Sequence, residues 1–403
     1  MGALSKNATE LLHCIFFGKH TKKHLKSSDF HFIMVSEDGK LDLIWNLSLV
    51  CPWDCEICCV DAAYVSSEDG EVVIKSGFLT DKITFVKEGR TSLFNQAART
   101  LQEKKAELDL EHKLKVLDNL SGRTVKINFS GGDPLVVDEN IEVIREFSRR
   151  FGREYTEVST TGAGLAKSNP EELGAVIGKL KFSYDAASGL YNPNRPRGYN
   201  NSNLHRASQY GKEGVFTVAE TPLSIRNTND EAIELIYENL HRADIDTVLL
   251  MRLFPVGRGL QRKTEIPTKE QYRSAIQKYR EMESRLGTPK LRVQCALKYL
   301  DQTDGENPCD LFRESFAITP KGIFITSAWA LGRNGEPLDD AFVLGDLTQD
   351  HVNTILAIPK AQTYKERMND NFGHCKIFSY FNSQKQDPLE RIFDKADPLY
   401  RGK

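Results

Sequence analysis

The chain has 403 residues, of which 40% are hydrophobic and 27% charged, and its formal net charge at pH 7 is −2. This composition is typical of a globular protein large enough for two or three domains, or for one α/β barrel with an appendage. The small net charge gives no general attraction to nucleic acid, and no apolar run reaches the roughly 18 residues of a membrane-spanning helix, so we expect neither as a partner.

The first elements lead into a cysteine-rich loop. Residues 1–40 show no clear pattern and are treated as an N-terminal extension. The run Leu41–Val50 then predicts a strand. The loop Cys51–Cys58 follows that strand directly.

The segment after the loop has a mixed pattern. We expect residues 60–88 to be an irregular insertion, which could contain a hairpin of Glu71–Lys75 with Ile83–Lys87. Apolar residues then recur at helical spacing and predict one long helix from about Thr91 to Leu117.

Strands and helices alternate in the next part of the chain. The predicted strands are Thr124–Ser130, Tyr155–Thr161, Leu180–Tyr184, Val215–Pro222 and Thr247–Phe254. The predicted helices between them are Asp138–Arg150, Pro170–Lys179, Asn203–Tyr210 and Thr228–Arg242. Such alternation favours parallel β/α units. Six units can be counted, fewer than the eight of a closed TIM barrel, so we expect a partial (β/α)6 TIM-like barrel of the α/β class over residues 41–260.

The periodicity weakens after about Arg258. A helix is predicted at Gln271–Leu286 and a hairpin at Ala317–Ser327, followed by short helices. We therefore expect residues 261–403 to form a small α+β appendage on the barrel.

The eight cysteines indicate a compartment as well as a chemistry. In a chain of this length they do not resemble the disulfide framework of a small secreted domain. No signal peptide is evident. We expect a reducing, cytoplasmic environment, which also suits an oxygen-sensitive cluster.

Cys51, Cys55 and Cys58 have the spacing C-x3-C-x2-C. Three thiolates on one short loop can hold three irons of a [4Fe–4S] cluster and leave the fourth iron open, which favours chemistry over simple electron transfer. The alternative, a structural zinc site, needs four ligands. Cys59 would be the fourth by count, but adjacent cysteines point in different directions.

A second motif, Gly131-Gly132-Asp133-Pro134, comes at the end of the next predicted barrel strand. Glycines there let the backbone approach a ligand closely, Asp133 adds a carboxylate, and barrel sites lie at this edge. By itself the motif is only a turn. One β/α unit after the cysteine loop, it becomes much more specific.

With these two motifs, residues 41–260 resemble the radical S-adenosylmethionine (SAM) superfamily. The three cysteines fit its cluster motif, and Gly131–Pro134 fits its GGE-type motif with Asp in place of Glu. Phe182–Asp185 resembles the Ser-x-Asp pattern of the fourth strand. Phe254–Gly259 resembles the segment after the sixth strand in members with peptide and small-molecule substrates.

The resemblance implies a role for each motif. The three cysteines would ligate the cluster, and the amino and carboxylate groups of SAM would chelate the open iron. The backbone around Gly131 and Gly132, together with Asp133, would receive the SAM amino group, because a cationic ammonium is stabilised by a carboxylate and carbonyl oxygens.

Further contacts follow from the same resemblance. Ile57 would lie beside the adenine, and Ser183 is the candidate for a ribose or carboxylate contact. Arg195 is the candidate partner of the SAM carboxylate, with Arg197 as the second choice; the alternative for either arginine is an ordinary surface residue. The sequence selects no catalytic base or radical relay residue.

The C-terminal third is similar to SPASM/twitch domains, which bind auxiliary clusters. Ser327, however, stands where the hairpin of such a domain would carry a cysteine. Cys295, Cys309 and Cys375 remain, and they could hold a second iron–sulfur cluster with one open or foreign-ligated iron. The interpretation that the sequence favours is a degenerate domain with buried, inert cysteines.

The resemblance implies an enzyme that reductively cleaves SAM to a 5′-deoxyadenosyl radical and removes hydrogen from a peptide, leading to cross-linking, epimerisation or oxidation. The alternative substrate is a small metabolite, such as a sugar or nucleotide, that is dehydrogenated or rearranged. A third hypothesis is a non-catalytic iron–sulfur or zinc protein. For an enzyme, the partners would be the substrate and a one-electron reductant such as flavodoxin or ferredoxin.

Overall fold

The computed structural model describes residues 40–75, 82–188, 190, 192, 195–261, 263–301, 307–312 and 315–400. They all fall in one compact unit that starts at Lys40. The predicted N-terminal extension lies outside the described residues, apart from Lys40 itself. None of the described helices is long and apolar enough to cross a membrane.

Fourteen strands are found in the described residues. They are β1 Leu41–Ser48, β2 Val50–Cys51, β3 Ala63–Glu68, β4 Glu71–Lys75, β5 Ile83–Val86, β6 Val125–Gly131, β7 Thr156–Thr160, β8 Lys179–Ser183, β9 Phe216–Leu223, β10 Thr247–Arg252, β11 Lys290–Val293, β12 Phe316–Ile318, β13 Ile323–Ile325 and β14 Val343–Asp346. The α-helices are α1 Leu93–Glu103, α2 Leu110–Asn119, α3 Asp138–Phe151, α4 Pro170–Gly174, α5 Tyr199–Lys212, α6 Asp230–Arg242, α7 Lys269–Leu286, α8 Cys295–Asp301, α9 Val352–Leu356, α10 Pro359–Glu366, α11 Lys376–Asn382 and α12 Pro388–Ile392.

The main sheet has the order β11-β10-β9-β8-β7-β6-β1-β12-β13-β14. The strands from β11 through β12 are parallel, and β13 and β14 continue antiparallel. The six predicted barrel strands are β1 and β6 to β10, and helices alternate with them from β6 onward. The α/β class and the partial barrel are thus confirmed.

The two faces of the barrel strands differ in chemistry. Leu41, Leu43 and Trp45 on β1 belong to the main hydrophobic core, together with apolar residues of the helices. The other face carries charges: Glu157 on β7 lies 2.8 Å from the Nζ of Lys181 on the next strand. Because strand residues alternate between faces, this pattern places the helices on one side and a polar interior on the other.

The predicted long helix is wrong, since the chain forms α1 and α2 with a break between them. Lys105 adopts the left-handed conformation with φ of 55°, and Asp109 caps α2 by accepting from the backbone N of His112. Within the break, the buried Glu107 accepts hydrogen bonds from Ser48 Oγ (3.0 Å) and Leu49 N (2.9 Å). The apolar residues keep helical spacing across the break, so the sequence pattern did not reveal it.

The insertion is also more regular than predicted. β2, β3, β4 and β5 form a separate four-stranded sheet. The proposed hairpin is confirmed, because Glu71 of β4 pairs antiparallel with Val86 of β5. Its turn, residues 76–81, lies outside the described residues. Cys51 belongs to β2, so this small sheet begins at the cysteine motif.

Candidate active site

The three motif cysteines lie together just beyond the end of β1. Cys51 and Cys55 are buried and Cys58 is half-buried, and all three thiols are free. They pack with Trp53 and Tyr199 in one small cluster. The structure therefore brings the predicted cluster ligands to one place, at the edge where the parallel strands end.

Backbone and side-chain donors point at the sulfur atoms. The backbone N of Trp53 lies 3.4 Å from Cys51 Sγ, and that of Ala62 lies 3.4 Å from Cys58 Sγ. Hydrogen bonds of this kind favour the thiolate form. Burial, followed by the neighbouring thiols, nevertheless raises the pKa of Cys51 well above its usual value. Metal binding at this loop must therefore displace protons.

The arrangement suits a cluster better than a single ion. The motif supplies three free thiols on one loop. A structural zinc ion needs four ligands around one point, whereas each thiolate of a cluster binds a different iron. Cys59 packs against a second hydrophobic cluster, which Cys58 also contacts, whereas Cys51 and Cys55 lie in the small cluster with Trp53.

Gly131 and Gly132 approach the strand segment that leads into the loop. Gly132 N donates to Ser48 O at 2.7 Å, and Asp133 N donates to Val50 O at 2.9 Å. A Cβ on Gly132 would lie 2.1 Å from Val50 O. The predicted close approach of the backbone is therefore made, at least in part, to the chain itself rather than to a ligand.

Asp133 is fully buried and its carboxylate is already surrounded by donors. It accepts from Thr160 Oγ1 (3.0 Å), Thr161 Oγ1, Leu135 N (3.1 Å) and Gly164 N (3.2 Å). The side chain thus ties the turn after β6 to the turn after β7. Its predicted contact with the SAM amino group would have to compete with these four donors. Pro134 opens the short 3-10 helix that Asp133 caps.

Arg195 lies at the cysteine loop, as its predicted role requires, but with protein partners. Its Nη1 is 3.4 Å from Cys55 Sγ, and its Nη2 is 3.0 Å from Asp185 Oδ2. Burial raises the pKa of Cys55, and the Arg195 guanidinium opposes that rise. Asp185 also accepts from Asn192 Nδ2 and Tyr199 Oη. The arginine thus forms a fixed positive charge beside one thiol.

Two other predicted residues lie at the same edge. Ile57 is buried within the cysteine loop. Ser183 ends β8 and is half-buried, and its carbonyl accepts from Asn203 Nδ2 at 2.9 Å. Their contacts with adenine and ribose stay predictions. Arg197 is exposed.

Sequence reasoning did not assign a role to Arg258, which braces the cysteine loop. Its backbone N donates to Cys58 O and its Nη2 to Ala62 O, both at 2.9 Å. Its side chain also pairs with Asp54 and Asp61. The glycine before Arg258 could have indicated this close packing, since a Cβ on Gly257 would lie 2.6 Å from Cys58 O.

Glu220 near the end of β9 is a second residue that the sequence did not select. Ser159 Oγ lies 3.4 Å from its Oε1, and that same hydroxyl bonds to Asn128. Burial raises the pKa of Glu220, with Lys181 opposing the rise. A carboxyl that takes up a proton easily therefore lies on the polar interior face of the barrel.

The three C-terminal cysteines all pack in or against one hydrophobic cluster. Burial first, then the Asp310 carboxyl and the thiols of Cys309 and Cys375, raise the pKa of Cys295 well above its usual value. Asp310 also hydrogen-bonds Cys295. Burial and the nearby Asp397 carboxyl raise the pKa of Cys375 to about 12. These are the three cysteines that the resemblance to SPASM/twitch domains offered as ligands of a second cluster.

Comparison with known proteins supports the fold. No protein-family model and no curated protein matches the sequence. The structure of anSMEcpe with bound AdoMet and the Cp18Cys peptide is 13% identical, with a TM-score of 0.54 over 88% of this chain and 96% of that one. Streptococcus suis SuiB bound to S-adenosylmethionine is 12% identical, with a TM-score of 0.57 over 87% of this chain and 76% of SuiB.

SuiB bound to its precursor peptide SuiA gives a similar result, with 11% identity and a TM-score of 0.56 over 87% of this chain and 74% of SuiB. At such identities the likeness concerns the fold. The coverage shows that the likeness is not limited to the barrel strands, because residues 41–260 are far less than 87% of the chain.

Proposed function

We propose that the chain is a radical SAM enzyme in which Cys51, Cys55 and Cys58 hold a [4Fe–4S] cluster and SAM occupies the fourth iron. When bound, this pair supplies one-electron cleavage of SAM to a 5′-deoxyadenosyl radical that removes hydrogen from carbon. One observation carries the proposal: three free thiols converge on one loop at the carboxyl-end edge of a partial parallel barrel. The shared fold with AdoMet-bound structures supports it.

The residues of the chain would hold and orient these groups. Donors from Trp53 N, Ala62 N and Arg195 Nη1 stabilise the thiolate forms of the three cysteines. Arg258 fixes the loop from the side of β10. The loop is thus organised by the protein before any cofactor binds, which reduces the reorganisation that binding costs.

The site also limits access of water. Cys51 and Cys55 are each less than a tenth exposed, and Trp53 and Tyr199 pack against them with ring centroids 5.4 Å apart. Exclusion of water protects a reactive intermediate from side reactions. Glu220, buried on the polar interior face, is the candidate for holding or releasing a proton there.

For the substrate we propose a peptide, with an electron donor such as flavodoxin or ferredoxin. The support is that anSMEcpe and SuiB, which share the fold over most of this chain, are both solved with peptides. A small metabolite is the second candidate. A gene for a precursor peptide beside the gene for this chain would favour the first.

The test is anaerobic reconstitution with iron and sulfide, followed by incubation with SAM and dithionite. We expect 5′-deoxyadenosine and methionine, and loss of both after Cys51→Ala, Cys55→Ala or Cys58→Ala. Cys59→Ala is the matched control, because Cys59 stands outside the C-x3-C-x2-C motif and outside the small cluster that contains Cys51 and Cys55, and it should retain turnover. Undiminished turnover in the three variants, a purified chain that holds tetrahedral zinc at the loop, or intact clusters without 5′-deoxyadenosine would reject the proposal.

A second iron–sulfur site is proposed at Cys295, Cys309 and Cys375. The observations that support it are that the three free thiols pack in or against one hydrophobic cluster and that the Asp310 carboxyl hydrogen-bonds Cys295. Three thiolates could bind three irons of a cube, and the carboxylate is available as a ligand of another kind. This packing therefore favours a cluster over the interpretation of inert cysteines.

A further inference from the structure

Among the side chains that the structure describes, Arg195 is the one that donates to a sulfur of the cysteine motif. Its Nη1 lies 3.4 Å from Cys55 Sγ. In the same part of the chain, the donors to the other two motif sulfurs are backbone groups, Trp53 N and Ala62 N, each at 3.4 Å. The three thiols therefore differ in their electrostatic surroundings, because a positive charge lies beside only the second of them.

A second arginine at the loop is arranged differently. Arg258 Nη2 donates to Ala62 O at 2.9 Å, and the side chain pairs with the carboxylates of Asp54 and Asp61. Two carboxylates thus oppose its charge, and these contacts are made to oxygen atoms rather than to sulfur.

Protein contacts hold the Arg195 guanidinium in place. Its Nε and Nη2 lie 3.1 and 3.0 Å from Asp185 Oδ2, so they face the carboxylate while Nη1 faces the sulfur. Asp185 accepts in turn from Asn192 Nδ2 at 3.1 Å and from Tyr199 Oη. The orientation of the charge towards Cys55 is therefore set by the protein.

Burial increases the influence of this charge. The side chain of Arg195 is 11% exposed and that of Asp185 is 2% exposed, and Cys55 is 6% exposed. Where water is largely excluded, charges interact through a lower effective dielectric constant than in bulk water. A cation 3.4 Å from the sulfur therefore has a strong effect on any electron added there.

A cluster bound to these thiols becomes more negative by one charge when it is reduced. The reduction potential of an iron–sulfur cluster depends on net charge, on hydrogen bonds to the sulfur atoms and on solvent exposure. A cationic donor beside one thiolate stabilises the reduced form and so raises the potential. The Asp185 carboxylate acts in the opposite direction, from another edge of the guanidinium.

We infer that Arg195 raises the reduction potential of the cluster at the cysteine motif, and that Asp185 is the residue that positions it. The inference rests on the proposed cluster. In the step concerned, one electron passes from a donor such as flavodoxin or ferredoxin, which is oxidised, to the cluster, which is reduced. This role does not require SAM, whereas a partner of the SAM carboxylate acts only when SAM is bound.

The test is a potentiometric titration of the reconstituted chain without SAM or substrate, followed by electron paramagnetic resonance. Every sample also carries Cys309→Ala, which removes the second proposed cluster. We expect Arg195→Gln to lower the midpoint potential, so that the ratio of reduced to oxidised cluster at a fixed potential falls by about tenfold. Arg195→Lys keeps the charge without the planar fork and should recover most of this loss.

Asp185→Asn removes a negative charge and should shift the midpoint in the other direction, upwards. Loss of structure in the loop would instead shift Arg195→Gln and Asp185→Asn the same way. Iron content and thermal unfolding of each variant are measured alongside. If Arg195→Gln binds no iron, the signs found for Arg195→Lys and Asp185→Asn decide the question.

Arg226→Gln is the matched control. Arg226 also pairs with a carboxylate through two nitrogens, which lie 3.0 and 2.9 Å from the oxygens of Glu265, but its side chain is 49% exposed and its described contacts include no motif sulfur. Its midpoint should equal that of the unsubstituted arginine.

An unchanged midpoint in Arg195→Gln, equal decreases in Arg195→Gln and Arg195→Lys, shifts of one sign in Arg195→Gln and Asp185→Asn, or an equal shift in Arg226→Gln would overturn the inference. If the chain then still forms a cluster and 5′-deoxyadenosine, the radical SAM function stands and only the role of Arg195 fails. A chain that assembles no cluster rejects both.

Discussion

At Gly132 a single hydrogen atom in place of a side chain allows two strands to meet at the site. The turn after β6 donates to Ser48 O and Val50 O, directly before Cys51. Both carbonyls belong to the backbone and cannot rotate away from a new methyl group. The position of the first cysteine therefore depends on a residue that touches no cofactor.

Gly132→Ala tests this dependence. The new Cβ would lie 2.1 Å from Val50 O, so we expect the free energy of unfolding to fall by about 1–3 kcal/mol or more, with less iron bound per chain. Urea denaturation and iron analysis measure the two effects.

Gly211→Ala is the control, because its Cβ would have only an ordinary contact of 3.7 Å with Thr217 Cγ2. On a helix, that change should leave stability unchanged or raise it by up to about 1 kcal/mol. Equal stability of the two variants would contradict the role given to Gly132.

Arg195 shows how far the sequence leads at the scale of one residue. Its position in a loop after the Ser183 strand placed it near the site, and the structure puts it beside Cys55. Its ion pair with Asp185 was not predicted, because it depends on how the loop after β8 folds back on the strand end. The residue supplies positive charge to the cysteine loop, whatever else it contacts.

At the scale of elements, charged residues join neighbouring strands across the barrel interior. Glu157 on β7 lies within 3.6 Å of Lys126 on β6 and 2.8 Å of Lys181 on β8. Burial alone would raise the pKa of Glu157, but the charges of Lys181, Lys126 and Lys179 hold it well below its usual value. One carboxylate thus pairs with three lysines, of which Lys126 also pairs with Asp42.

Glu157→Gln should remove the carboxylate partner of Lys179 and Lys181, whereas Lys126 keeps its ion pair with Asp42. We expect a loss of about 3–5 kcal/mol in unfolding free energy at pH 7. Since the folded-state pKa is depressed, the stabilisation is complete above the ordinary value of 4.5 and is lost as pH falls below it towards the folded-state pKa. The difference in unfolding free energy between wild type and variant should therefore shrink progressively as pH is lowered below 4.5.

Glu234→Gln provides the control for this experiment. Glu234 pairs with Lys278 on the protein surface, where solvent screens the interaction. Little change at either pH is expected. An equal effect of both substitutions, or a constant difference across the pH range, would argue against the interior network.

At the scale of the molecule, the barrel and the C-terminal segment share one sheet. β12 pairs in parallel with β1, and β11 extends the sheet beyond β10 at the other edge. The buried pair of Arg252 with Asp397 joins the same parts of the chain. A domain boundary near residue 260 stays a prediction. The shared sheet connects the residues on the two sides of that boundary through backbone hydrogen bonds.

Iron content tests whether that C-terminal segment holds a cluster. We expect about eight irons per reconstituted chain, falling to about four after Cys309→Ala, since two cubes contain four each. Cys59→Ala should leave the count unchanged, which controls for the general loss of a thiol. About four irons in the wild type, with no decrease after Cys309→Ala, would favour inert cysteines.

Local pattern determined much of what could be known in advance. The spacing of Cys51, Cys55 and Cys58, the glycines at 131 and 132, and the alternation of six strands with helices are all properties of short segments. The structure confirms the six strands, and the roles of the cysteines and glycines stay predictions. The break between α1 and α2 and the strand order of the small sheet were not predicted. The spacing of apolar residues does not show where the backbone leaves a helix or which strands pair.

Tertiary structure decided the contacts that distant residues make. Arg195, expected near the site, contacts Cys55 across 140 positions, Arg252 pairs with Asp397 across 145, and the three C-terminal cysteines pack in or against one hydrophobic cluster. The physical reason is that these contacts arise from the winding of a parallel sheet, which brings the ends of separate strands to one edge regardless of their distance in sequence. The sequence by itself determined the chemistry of the loop, and the fold determined its surroundings.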